Sequence, residues 1–520
     1  MSSGEYGGGL RPEPQYLRHF NWCVKYITIF HKSRVYVKKG RFFRKILKKI
    51  CKYAIMIKAL KGLTKKKGGL CLTKASKERN EIKSFSELFE RITWGRLEKA
   101  AFLMTALLMV MPMVALVQIL IKPSWMPGVS MQRLTYVERI AGCALMAVSF
   151  IKLLMQKPSF KKTIADNLTL CVFLGVSLLV FASTVKNGFT PTALDGDDYR
   201  DESMFDYMTY LCIYFGSAAL IRSEKLKCIL FRLYLLSGAV IGALALADRY
   251  KLFRIEGFHF RQGEEQFTAI FSQYNHYGYY LMLAVMLSAG LFIYSKSAAG
   301  KAVYMLSLLF GSVLLGINAT RGCELACAAG FVFLLIVFIV TDRKRLLWLA
   351  AAGAAYVGAI GVSYLISPES LERMTVLKQE VESAAETKEV SDGIGSGRGL
   401  LWKHTIRYIS ERPILGFGVE GIAERLAKDS NGLNSRPHNE YLQWAAFFGI
   451  PAALLYLSGV ISVYVRAVKQ RIDLSPMRVV ALTAAFSYAA SAVFGNTMSY
   501  TAPFFFALLG LGYRSAKNEE

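Results

Sequence analysis

The sequence predicts an all-α integral membrane protein of about twelve transmembrane helices, with one large helical loop on the outer side between spans 9 and 10. Three observations predict it. The 520-residue chain is 53% hydrophobic, and from Ala100 onward the apolar residues come in runs of roughly 18 to 25, the length that crosses a bilayer as a helix. The short segments between those runs alternate between basic and non-basic. The pattern is interrupted once at length, over residues 367–438. A helix satisfies its own backbone in lipid, so a helical bundle is the default for such a chain.

Residues 1–99 form the first unit. They hold 25 Lys/Arg and 7 Asp/Glu, so +18 of the formal charge of +27 sits there. The run "KKGRFFRKILKKICKYAIMIKALKGLTKKKGG" mixes cations with Phe, Ile, Leu and Met, and reads as a basic amphipathic segment on the anionic cytoplasmic leaflet. Nucleic acid is the competing partner; tethering to a membrane bundle favours lipid, and no nucleic acid is expected. No apolar core precedes residue 100, so no cleavable signal peptide is expected.

Spans 1–9 are expected within residues 100–366, at about 100–121, 136–155, 164–185, 203–221, 228–247, 272–294, 302–319, 323–341 and 346–366. Three more, at 439–465, 477–495 and 499–513, fall in the last unit, 439–520, which ends in a short tail. With the N-terminus in the cytoplasm, the inside loops are "QKPSFKK", "RSEKLK", "SKSAAGK", "DRKR" and "RAVKQRIDLSPMR". Each is short and basic, as the positive-inside rule requires. The outside loop "KNGFTPTALDGDDYRDES" is acidic. One outside loop breaks the rule: "DRYKLFRIEGFHFRQGEEQF" carries four Arg/Lys, among them Arg261. Of nine cysteines, three lie in the basic extension and six in expected spans, with no spacing that suggests a disulfide framework or a metal.

The outer loop 367–438 holds 10 Lys/Arg and 11 Asp/Glu, and a loop of that length with its own helical pattern is usually functional. Leu371, Met374, Leu377 and Val381 repeat at helical spacing after a proline start. "SDGIGSGRG" follows, with glycines at 393, 395, 397 and 399; it serves either as a hinge or as a backbone cradle for phosphate, without the Lys-Ser/Thr ending of a nucleotide P-loop. "RGLLWKHTIRYISERP" predicts a second helix with Trp402, Ile406 and Ile409 on its apolar side and Pro413 at its end.

Three basic groups lie at the outer surface: Arg321 in the turn between spans 7 and 8, Arg398 after the glycines, and His438 at the mouth of span 10. Each has a bland alternative: a head-group anchor, a solvated helix-end charge, a structural histidine. A helix N-terminus disfavours added positive charge, so His438 is expected to stay neutral, the form a general base needs.

Together these residues resemble the signature of the O-antigen ligase and polymerase superfamily of bacterial membrane glycosyltransferases. The elements are Gly397-Arg398, Trp402, Pro413, Gly416, Gly418, His438-Asn439, Leu442 and Gly449. "FSQYNHYGYYLMLAVML", with Asn275, is similar to the family's aromatic entry to a central span. "NATRGCELA" resembles its Ser-Arg-Gly-Ala turn, with Thr320 for Ser and Cys323 for Ala. The resemblance runs over about 270–510, and residues 1–99 depart from it. It implies transfer of a glycan from a polyprenyl-diphosphate donor to a glycan or glycolipid acceptor at the outer face of the cytoplasmic membrane, by ligation or polymerisation, inverting, with no cofactor and no metal. It implies that Arg321 and Arg398 bind the diphosphate and that His438 is the base. Arg261, Asn439, Trp402 and Asn275 are the further substrate-binding candidates. A flippase of lipid-linked sugar is the alternative from another class. It would carry charges along the middle of its spans, whereas Asp166, Glu138, Arg139, Asp206 and Glu324 lie near span ends.

Overall fold

The computed structural model describes residues 93–121, 134–156, 168–196, 200, 202–252, 267–271, 273–368, 394–469 and 474–513. The basic extension up to residue 92, Asp166, Arg261 and the expected helical repeat of Leu371 to Val381 lie outside the described residues. Among the described residues the regular structure is helical, with no strand. The helices are α1 Trp94–Met109, α2 Met111–Ile121, α3 Thr135–Gln156, α4 Leu168–Asn187, α5 Pro191–Asp195, α6 Met204–Leu220, α7 Glu224–Arg249, α8 Tyr274–Tyr294, α9 Ala298–Asn318, α10 Arg321–Thr341 and α11 Leu346–Ile366. They continue as α12 Ile394–Glu411, α13 Ala423–Asp429, α14 Glu440–Phe448, α15 Ile450–Lys469, α16 Pro476–Ser491 and α17 Ala502–Tyr513.

Among the described residues each of the twelve expected apolar segments contains helix. Seven helices among the described residues are long and apolar enough to cross a bilayer, or eight if the bent pair α1–α2 is one span. That pair bends by 58° just before Pro112, whose ring lacks the N–H and crowds the carbonyl of the preceding turn. The tenth expected segment, 439–465, is not one helix: it breaks at Gly449 into α14 and α15.

Packing follows membrane rules, where close backbone approach at small residues replaces the hydrophobic drive of water. Helix α8 is the centre of the bundle, buried along nearly its whole length. Its Gly290 admits Val480 of α16, and a Cβ there would sit 2.8 Å from that side chain. At the periphery, α11 leaves Leu347, Val357 and Leu365 exposed, as suits a face toward lipid.

Polar contacts between sequence-distant groups gather at the two ends of the bundle. At one end Glu98 accepts from the backbone of Arg222 and Ser223, Lys152 donates to Ala219 O, Glu224 accepts from Met477 N, and Arg478 donates to the carbonyls of Gly512 and Tyr513. At the other, Arg412 donates to Asn187, Arg200 to Ser435, Asn318 to the Phe267 carbonyl and His438 N to Asn496.

Candidate active site

The site is built around the break between α14 and α15. Gly449 has φ +92, and a Cβ there would lie 2.1 Å from Ile414 O, so only glycine fits. A helix end leaves its last carbonyls without partners, which is costly in a membrane. Segment 413–418 supplies them. Phe417 N donates to Ala446 O at 2.9 Å and Gly418 N to Phe447 O at 2.8 Å, while Pro413 O accepts from Ile450 N at 2.7 Å. Ser183 of α4 adds its hydroxyl to Phe447 O. Gly416, at φ +62, would place a Cβ 2.5 Å from Phe447 O. Pro413, Gly416, Gly418 and Gly449 therefore build the backbone joint that seats α14.

The joint lets α14 begin at the mouth of the bundle. Asn439 is its N-cap, accepting from Leu442 N at 3.0 Å, which leaves only the amide N–H groups of its side chain for a substrate. His438, one residue before, sits at φ +51, a conformation that costs a residue with a Cβ about 1–2 kcal/mol. Its backbone N–H donates to Asn496 Oδ1 at 2.8 Å. Arg436, fully buried, anchors the chain two residues earlier. It pairs with Glu202 at 2.8 Å, binds Glu420 through both Nε and Nη2, and donates to Thr497 O at 2.8 Å. Glu202 also accepts from Tyr210 at 2.6 Å, and Arg200 lies 3.7 Å from Glu420.

His438 is held neutral. Burial comes first and the guanidiniums of Arg398, Arg200 and Arg436 follow, and together they bring its imidazole down to about 3. The expected direction is found, but its main cause is burial rather than the helix end. Arg398, on α12, feels both His438 and Arg321. Burial, and after it Arg321, hold its guanidinium below the ordinary value. Among the described residues Arg398 has no carboxylate partner, whereas Arg436 has two. A half-buried charge with no counter-ion loses part of its hydration without repayment, so Arg398 is poised for an anion.

Helix α12 begins at Ile394, earlier than expected, and takes in the glycines at 395, 397 and 399. Gly395 and Gly397 are at positive φ, and a Cβ on Gly397 would meet Leu433 at 2.5 Å. The buried face of α12 is Leu401, Thr405, Tyr408 and Ile409. Ile406, expected on that face, is 53% exposed: it falls one residue beyond the i, i+4 row. Trp402 stacks on Phe494 at 6.4 Å, and its indole N–H finds no acceptor among the described residues.

Arg321 opens α10. Its turn is tied to the start of α8, where Asn318 and Thr320 both donate to Tyr274 O and Gly278 leaves room for Thr320. Asn275 lies in the first turn of α8, partly exposed, while its neighbour His276 turns inward and meets the Tyr500 hydroxyl at 2.6 Å. Arg261 is outside the described residues. Among the described residues no group of three or more His, Cys, Asp or Glu is placed to hold a metal. Sequence reasoning passed over Arg200, Glu202, Glu420, Arg436, His276 and Asn496. Arg436 stands two residues before His438, and that adjacency was the available signal.

Comparison with known families places residues 306–457 in the one described as O-antigen ligase. That stretch runs from α9 into α15. It includes Arg321, Arg398, Trp402, the joint at 413–418, His438, Asn439 and Gly449, and leaves out Asn275, His276 and residues 495–501. No curated protein matches the chain.

Proposed function

Because residues 306–457 belong to the O-antigen ligase family, we propose that this multi-pass membrane protein moves a glycan from a polyprenyl-diphosphate carrier to an acceptor hydroxyl at the outer face of the cytoplasmic membrane. The observation that carries this reading is the pairing of opposites at the mouth of the bundle: a half-buried arginine without a carboxylate partner among the described residues, Arg398, beside an imidazole held neutral, His438.

The chemistry follows from those two states. The acceptor oxygen attacks the anomeric carbon from the face opposite the diphosphate, and His438 takes the hydroxyl proton. The bond from the anomeric carbon to the phosphate oxygen breaks, and the electron pair leaves with the diphosphate. Arg398 and Arg321 receive that charge. Arginine suits this because its planar fork binds phosphate oxygens in pairs and stays protonated. Donors fixed before the reaction are worth about 10²–10³ in rate each. On this reading Trp402, whose indole N–H has no acceptor among the described residues, and the Asn439 amide contact the sugars; Asn275 and Arg261 are further candidates from their place in the sequence. The diphosphate is already a good leaving group, so the scheme needs no metal.

Ligation and polymerisation share this step and differ in the acceptor. The flippase alternative is disfavoured by the placement of buried charge. Glu138, Lys152, Asp206, Lys227, Glu324 and Arg478 all lie within about a turn of their helix ends, not along a central path.

Two experiments test the reading. Protein reconstituted with a polyprenyl-diphosphate glycan and an acceptor should release polyprenyl diphosphate in step with glycan transferred, and EDTA should leave the rate unchanged. Transbilayer movement of donor without transfer would establish the flippase instead. For orientation, a single cysteine at Ser391 in a Cys-free background should react with an impermeant thiol reagent in intact cells. Labelling only after lysis would put loop 367–438 on the wrong side for this function.

A further inference from the structure

Residues 495–501, between α16 and α17, lie outside the matched stretch and carry no motif, yet they touch three parts of the site. Asn496 Oδ1 accepts from His438 N at 2.8 Å. Thr497 O accepts from Arg436 at 2.8 Å. The Tyr500 hydroxyl lies 2.6 Å from His276 Nδ1. The segment is itself fixed in place: a Cβ on Gly495 would lie 1.9 Å from the Tyr279 hydroxyl, which in turn donates to Ser491 O at 2.8 Å.

The contact of Asn496 has a direct bearing on the imidazole. His438 is in the left-handed region, from which a residue with a Cβ relaxes unless its surroundings hold it. Relaxation of φ would turn the Cα–Cβ bond and carry the ring away from the side of Arg398. Proline at 437 and the cap at Asn439 fix the chain on either side, but neither bonds the His438 amide. Asn496 does. We propose that Asn496 is a positioning residue for transfer, which holds His438 in its left-handed conformation and so aims the imidazole at the acceptor. This rests on the assignment of His438 as the base.

The test uses the full-length protein in the reconstituted transfer assay, with kcat, KM for the lipid-linked donor, the pH–rate profile and thermal unfolding measured for N496A, N496D and H438A. A misplacement of about 1 Å can cost on the order of 10²-fold, so N496A should lose rate of that order in kcat, with donor KM and unfolding temperature near those of the wild type. N496D keeps an oxygen for the His438 amide and should recover most of the rate. Its carboxylate favours the charged imidazole against Arg398, Arg200 and Arg436, and against His276 on α8, so its acid limb should move to higher pH.

Wild-type kcat in N496A, with H438A inactive, would overturn the positioning role and leave the base assignment standing. Wild-type rates in both would overturn both. Loss of rate in N496A and N496D alike, with an unmoved pH profile and lowered unfolding temperature, would make Asn496 structural only. If N496A does not fold, the position of the acid limb in N496D decides.

Discussion

His438→Ala is expected to lose transfer by about 10²–10⁴-fold, the usual worth of a positioned base, while still binding the lipid-linked donor. The pH dependence separates this from a general loss of structure. In the wild type His438 is held down to about 3, so it is already unprotonated at pH 5. The base limb of the profile should therefore be flat from pH 5 to 8, where an ordinary imidazole, near 6.5, would lose half its rate by pH 6.5 and nearly all of it by pH 5. In the alanine variant the residual rate should rise with pH, because the acceptor hydroxyl must ionise unaided. A variant profile as flat as that of the wild type would remove His438 from proton transfer.

Arg436→Leu is expected to be the most destabilising single change in the segments around the site. It leaves Glu202 and Glu420 buried without the guanidinium that bonds them both, and breaking such a network from one side costs about 3–5 kcal/mol. The loss should depend on pH in a definite direction. Burial raises Glu202 from 4.5 to about 7 even with Arg436 opposing it, so Glu202 contributes stability that is present below 4.5 and is lost as pH rises through 7. Without Arg436 its carboxyl rises further and stays protonated. The deficit of the variant should then be smaller at pH 6 than at pH 8, and Glu202→Gln added to Arg436→Leu should restore part of it. Thermal unfolding in detergent at the two pH values checks this; a deficit below about 1 kcal/mol that is independent of pH would show that the network is not structural.

Much of the architecture was legible because hydropathy is a property of long windows. Most apolar runs became single helices, and two, at 100–121 and 439–465, became broken pairs. What was hidden depended on single residues. Gly449 does not lower the hydropathy of its run, so α14 and α15 read as one span; the break needed the carbonyl of Ile414 to be visible. Arg398 and His438 stood out because polar groups at a membrane mouth are rare. Arg436 did not, because a loop arginine gives no sign of burial in sequence, and Glu202 is 234 positions away. His276 was masked by the tyrosines around it, and Asn496 lies in a short segment whose meaning comes from His438. The family match joins Arg321, Arg398 and His438 in one stretch, while Asn496 and Glu202, which brace the chain around His438, lie outside it.

The account turns on a division of labour between Arg398 and His438, and donor binding measured apart from transfer tests it most directly. Polyprenyl-diphosphate glycan is titrated against the purified wild type, Arg398→Lys, Arg398→Ala and His438→Ala, and each is then assayed for transfer. The expected result is weak donor binding in Arg398→Ala, a large loss of rate even in Arg398→Lys because the charge remains but the paired hydrogen bonds do not, and donor affinity near wild type in His438→Ala. Loss of donor binding in His438→Ala, with wild-type binding in Arg398→Ala, would contradict it.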